Sequence, residues 1–192
     1  MNINSFDDSD MKIAGAPAAV TETFDTLAFM EEAREQRFNG NMQRAKNLGS
    51  NIVSAFSYKA APDEQVQLAA ELGVELDDNC VQQIKLMSVF AAEYCLENYL
   101  PSASLSATAV NAMYDVLMET APDFYRTVSA SMAFSFYYLC VRKGGDIPAA
   151  IGKRFAMLCG RPDDEACAKL GTMLLNINTK VYRRAIDAYA FV

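Results

Sequence analysis

The sequence predicts an all-α fold, an irregular globular bundle of about eight helices with apolar central helices, and three observations predict it. Apolar positions recur at three and four residues along most of the chain. Proline and glycine divide it into segments that begin on Asp, Ser or Thr and stop on Gly or Asn. Hairpin dipeptides flanked by alternating apolar residues are missing. A chain of 192 residues, 52% hydrophobic and 21% charged, has enough apolar surface to fold around one core.

The segments follow in order. Met1 to Ala16 carries Asp7, Asp8 and Asp10 without an apolar run, so residues 1–16 read as a flexible tail and 17–192 as a single helical domain. The first helix runs from an N-cap at about Thr21 to Phe38, where Asn39 and Gly40 stop it. The second covers about Asn41 to Lys59. Pro62 followed by Asp63 and Glu64 opens a third, which Gly73 closes. The fourth starts at Asp77 or Asp78 and ends at Tyr99, before Pro101.

Ser104 caps a fifth segment to about Glu119, and Pro122 opens a sixth that reaches Arg142, followed by Lys143, Gly144 and Gly145. Pro148 opens the seventh. Pro162 with Asp163, Asp164 and Glu165 opens the eighth, with a bend expected at Gly171. The fourth and sixth helices are apolar nearly all round, as enclosed helices must be. Alternate segment starts recur about every 42 residues, which leaves a short helix-pair solenoid as the alternative architecture.

Composition narrows the chemistry. There is no histidine, which removes the commonest general base, the histidine-paired nucleophiles and most zinc sites. The five cysteines include no C-x-x-C pair and read as reduced core thiols of a cytoplasmic protein. Cys80, in the first turn of a helix, is the one whose thiol a helix dipole would touch. The uncharged stretch between Arg126 and Arg142 is shorter than the roughly 18 to 20 residues that cross a bilayer, so no membrane span is expected.

The first helix holds the most informative pattern. On a 100° wheel, Val20, Phe24, Leu27, Ala28 and Phe38 form one stripe, and Glu31 and Glu35 lie within it. The stripe is expected to face the core, so Glu31 and Glu35 point inward and each carboxylate needs a cation, a metal ion or an edge position reaching water. Arginines such as Arg34 are one solution. A second pair, Glu93 and Glu97, lies one turn apart on the fourth helix. Glu31, Glu35 and Glu93 together would suit Mg²⁺ or Mn²⁺, because hard cations take oxygen ligands and can activate water beside a phosphate.

Glu31, Glu32 and Glu35 also form the string E-E-x-x-E, which resembles the first motif of the all-helical nucleoside triphosphate pyrophosphatases, and Glu75 and Asp78 match their E-x-x-D. The resemblance implies a magnesium-dependent phosphohydrolase, a nucleotide pyrophosphatase-like enzyme using helix-borne carboxylates.

Charge is asymmetric. Residues 1–123 hold 7 Lys and Arg against 19 Asp and Glu, whereas residues 124–192 hold 10 against 5. Lys180, Arg183 and Arg184, on the face opposite Ile177 and Val181, make a candidate patch for an anion or an acidic partner, unless they neutralise the protein's own acidic half. A pI of about 4.6 and the lack of a binding motif argue against nucleic acid.

The reading this supports first is a non-enzymatic cytoplasmic protein-interaction module needing no cofactor. It rests on an apolar excess that includes 10 Met, 11 Phe and 9 Tyr, and its partner is another protein or a second copy. The alternative is the Mg²⁺- or Mn²⁺-dependent phosphohydrolase.

Overall fold

A computed structural model describes residues 18–55 and 62–192, with side chains in the first helix from residue 26 onward. The expected tail at 1–16, the end of the second helix at 56–59, and the side chains of Val20, Thr21 and Phe24 lie outside the described residues. The described backbone forms nine α-helices and no strand, so the all-α expectation holds. They are α1 (Ala18–Phe38), α2 (Asn41–Ile52, continued by a 3₁₀ turn at Val53–Ala55), α3 (Asp63–Glu71), α4 (Asp78–Tyr99) and α5 (Ala103–Thr120). After them come α6 (Pro122–Ala130), α7 (Ala133–Lys143), α8 (Ile147–Leu158) and α9 (Glu165–Asp187). Among these helices none is long and apolar enough to cross a membrane.

Caps placed the boundaries well. Asp77 accepts from the Cys80 N–H at 2.7 Å, Asp146 from the Ala149 N–H at 3.1 Å, and Asp164 from the Cys167 N–H at 2.9 Å. Ser102, two residues before the expected Ser104, caps α5. The first helix starts before Thr21, at Ala18. The sixth segment is two helices instead of one. Ser131 leaves the helical region at ψ 132°, and its hydroxyl accepts from the Ala133 N–H at 3.1 Å, so its side chain ends α6 and starts α7.

Helix α4 is enclosed as expected, with Ile84, Leu86, Met87, Val89, Phe90 and Leu96 all at 1% exposure or less. The ring of Phe90 sits 5.0 Å from that of Tyr137 and 5.2 Å from that of Tyr138. Helix α7 is not enclosed. Met132 and Leu139 face outward and only Ala133, Tyr137 and Cys140 are buried, because the break at Ser131 leaves α7 covering α4 with one face alone.

Helices pair across the sequence, α2 with α5 and α4 with α9, besides α8 with α9. A solenoid, whose repeats touch only their neighbours, does not do this, so the bundle reading stands. The tightest pairings use glycine. A Cβ at Gly49 would lie 2.0 Å from the Ala109 carbonyl oxygen, and one at Gly171 would lie 2.6 Å from the Phe155 Cβ. Gly171 therefore marks where α8 and α9 touch; α9 runs through it as one continuous helix.

Candidate functional site

The stripe on α1 exists, and it faces outward. Of its described residues Leu27 is 58% exposed and Phe38 95%, and Ala28, Glu31 and Glu35 are exposed with them, flanked by exposed Met30, Arg34 and Arg37. The expectation that Glu31 and Glu35 point inward is therefore corrected. On a 100° wheel the half-buried Glu32, Ala33 and Gln36 lie on the opposite side, and that side packs on α2 and α5. Carboxylates in water need no partner, so the physical reason for a metal there disappears.

Glu32, the second residue of E-E-x-x-E, turns inward. Ser104 at the start of α5 donates to its Oε1 at 2.9 Å, and hydrogen bonds from Ser102 and Ser104 hold its carboxyl below the usual range. It fastens α1 to the N-terminus of α5, where a negative charge is favoured. At the far end of α1, Gln36 accepts from Asn41 at 2.7 Å. Asn41 in turn accepts from the Val192 N–H at 3.2 Å, tying the α1–α2 turn to residue 192.

Glu93 and Glu97 meet tyrosines instead of a metal partner from α1. The Tyr138 hydroxyl lies 2.8 Å from Glu93 Oε1 and 2.7 Å from Glu97 Oε2, and Tyr114 donates to Glu93 Oε2. One phenol carries one proton, so it donates to only one of the two carboxylates at a time. Burial pushes the Glu97 carboxyl up, the Tyr138 hydrogen bond works against that, and Glu93 adds to it. Burial likewise raises Tyr114 and Tyr138, and the facing carboxylates raise them further. Glu93, Tyr114, Tyr125 and Tyr138 line a pocket of about 380 Å³.

Glu31, Glu35 and Glu93 do not come together. Among the described residues the group of three acidic or thiol side chains whose ligand atoms lie within 4.8 Å of one another is Cys80, Cys159 and Cys167. The signal for it was present in the sequence. Asp77 and Asp164 are N-caps, and each is followed three residues later by a cysteine, so D-x-x-C occurs at two helix starts.

Lys180, Arg183 and Arg184 line one groove together with Asn176, Thr179 and Asp187. Arg183 stacks over the Tyr99 ring at 4.5 Å, a cation–π contact that fixes its guanidinium. The face described as opposite these cations is not the buried one. Ile177 and Val181 are exposed, and α9 instead buries Leu170, Leu174, Asn178, Tyr182 and Ile186. Comparison with known proteins matches no family model, no curated protein and no solved structure.

Proposed function

We propose that this chain is a non-enzymatic, cytoplasmic protein-interaction module whose contact element is α1 and whose partner is a second copy of itself. The observation that carries the reading is the outward stripe of Leu27, Met30 and Phe38, large apolar side chains that stay in water on one helix face. Reduced thiols suit the cytoplasm, and all five cysteines are free.

The charges on the same face favour a self-partner. An isologous contact must be complementary to itself. Two antiparallel α1 helices related by a two-fold axis between positions 32 and 33 set Leu27 against the partner's Phe38 and Glu31 against the partner's Arg34. Opposite charges flank an apolar strip in that register, and charge pairing of this kind fixes orientation more than it adds affinity.

Sedimentation velocity over a wide concentration range tests this directly. The chain is expected to dimerise reversibly, and Leu27→Asp with Phe38→Asp to leave a folded monomer. Arg34→Glu and Glu31→Arg are each expected to weaken the dimer, and their combination to restore it. A wild-type monomer at every concentration, or a double charge reversal no better than its parts, would overturn the proposal.

A further inference from the structure

The three clustered cysteines come from three elements. Cys80 is the third residue after the Asp77 cap of α4, Cys159 follows the last turn of α8, and Cys167 is the third residue after the Asp164 cap of α9. Their sulfurs lie within 4.8 Å of one another, and the residues are 0%, 4% and 0% exposed. Two helix N-termini thus open onto one group of thiols, and the dipole of each favours negative charge there.

The surroundings hold this junction together. Arg161, in the α8–α9 turn, donates to the Glu75 carbonyl at 2.8 Å and pairs with the Asp77 carboxylate at 3.1 Å. Asn79 donates to the Leu158 carbonyl at 2.9 Å.

A second observation points at the same place. The Tyr137 hydroxyl is wholly buried and has no hydrogen-bond partner. It lies within electrostatic reach of Cys159, Cys140 and Cys167. A buried donor without an acceptor costs free energy, and a thiolate accepts far better than a thiol.

We infer that Cys80, Cys159 and Cys167 form a three-sulfur site for one soft, thiophilic metal ion, with copper(I) as its natural occupant. Bonds of about 2.3 Å in trigonal geometry set sulfurs about 4 Å apart. Closing the present spacing to that value needs movements of less than about 1 Å. Thiolates select Cu⁺, Zn²⁺ and iron–sulfur clusters over hard ions. Three buried sulfurs suit a three-coordinate ion, whereas zinc takes four ligands in structural sites and a water in open ones. On binding, each thiol that becomes a ligand loses its proton to solvent and forms one sulfur–metal bond, with no change of oxidation state.

Anaerobic titration of the reduced full-length protein with Cu⁺, against a chromophoric Cu⁺ chelator, reads the stoichiometry. One equivalent is expected to bind, with a thiolate-to-metal charge-transfer band and a higher Tm. Cys159→Ala is expected to lose that equivalent and Cys140→Ala, outside the cluster, to keep it. Circular dichroism establishes that each variant is folded, and Cys159→Ser replaces any alanine variant that is not. Failure to bind one equivalent, or binding that survives loss of Cys159, would overturn the site. Uptake of Zn²⁺ but not Cu⁺ by the same cysteines would overturn the choice of ion.

Discussion

Helices α1 and α4 each carry two glutamates one turn apart, Glu31 with Glu35 and Glu93 with Glu97, and the two pairs have opposite fates. On α1 the pair stands in water beside exposed Leu27, Met30 and Phe38. On α4 the pair shares the Tyr138 hydroxyl, and Glu93 also receives Tyr114 from α5, at the edge of the most enclosed helix of the bundle. Identical spacing produces identical faces. Which way a face points is decided by what packs beside it, and helical periodicity contains no information about that.

The contrast can be broken most forcefully through the apolar residues. Phe90→Ala on α4 is expected to cost about 3–5 kcal/mol of unfolding free energy, because it empties a site surrounded by rings. Leu27→Ala on α1 is expected to stay within about 0.5 kcal/mol for the monomer while weakening self-association. Chemical denaturation followed by circular dichroism, at concentrations below dimerisation, measures both. Equal losses at the two positions would show that the α1 stripe is core after all.

Gly49→Ala sharpens the comparison at the next level. Alanine in an exposed helix interior gains about 1 kcal/mol over glycine. Here the added carbon meets the Ala109 carbonyl oxygen, so a net loss of about 1–3 kcal/mol is expected instead. The same denaturation experiment reads it, and a gain would mean that α2 and α5 stand further apart.

Glu93→Ala leaves the Tyr114 hydroxyl without its carboxylate, while Tyr138 keeps Glu97, and is expected to cost about 1–3 kcal/mol, whereas Glu31→Ala and Glu35→Ala are expected to stay within about 0.5 kcal/mol. Thermal unfolding of the three variants side by side checks the ordering.

The smallest effect concerns pH. Burial raises the Glu97 carboxyl above its ordinary 4.5, so the folded protein favours its protonated form. That contribution is complete below about pH 4.5 and is lost as pH rises through the elevated value. Glu97→Gln is therefore expected to raise Tm slightly near pH 7 and to have no effect near pH 4. A variant that lowers Tm near pH 7 would contradict the sign.

Local chemistry made most of the fold legible. Asp77, Asp164, Pro122 and Gly40 each mark a boundary because a cap or a fixed dihedral acts within four residues. The division at Ser131 was harder, since serine is compatible with a helix until its hydroxyl finds a backbone N–H two residues on. The site fared differently. Glu31, Glu35 and Glu93 were grouped by charge type, and no sequence rule measures the distance between α1 and α4. The thiol cluster depends on Cys80 meeting Cys159 and Cys167 across some eighty residues of chain, and only the repeated D-x-x-C hinted at it.

The attachment of α1 has a kinetic consequence. Over residues 26–38 its inner side offers Glu32, Ala33 and Gln36, and the hydrogen bonds of Glu32 and Gln36 take part in holding it. A segment fastened in this way opens by itself, without waiting for global unfolding, and its amides exchange with deuterium long before those of α4. Acid loosens it, because the Glu32 carboxylate that receives Ser104 is lost as pH falls through its lowered value. Dimerisation would then act as a clamp, slowing exchange in α1.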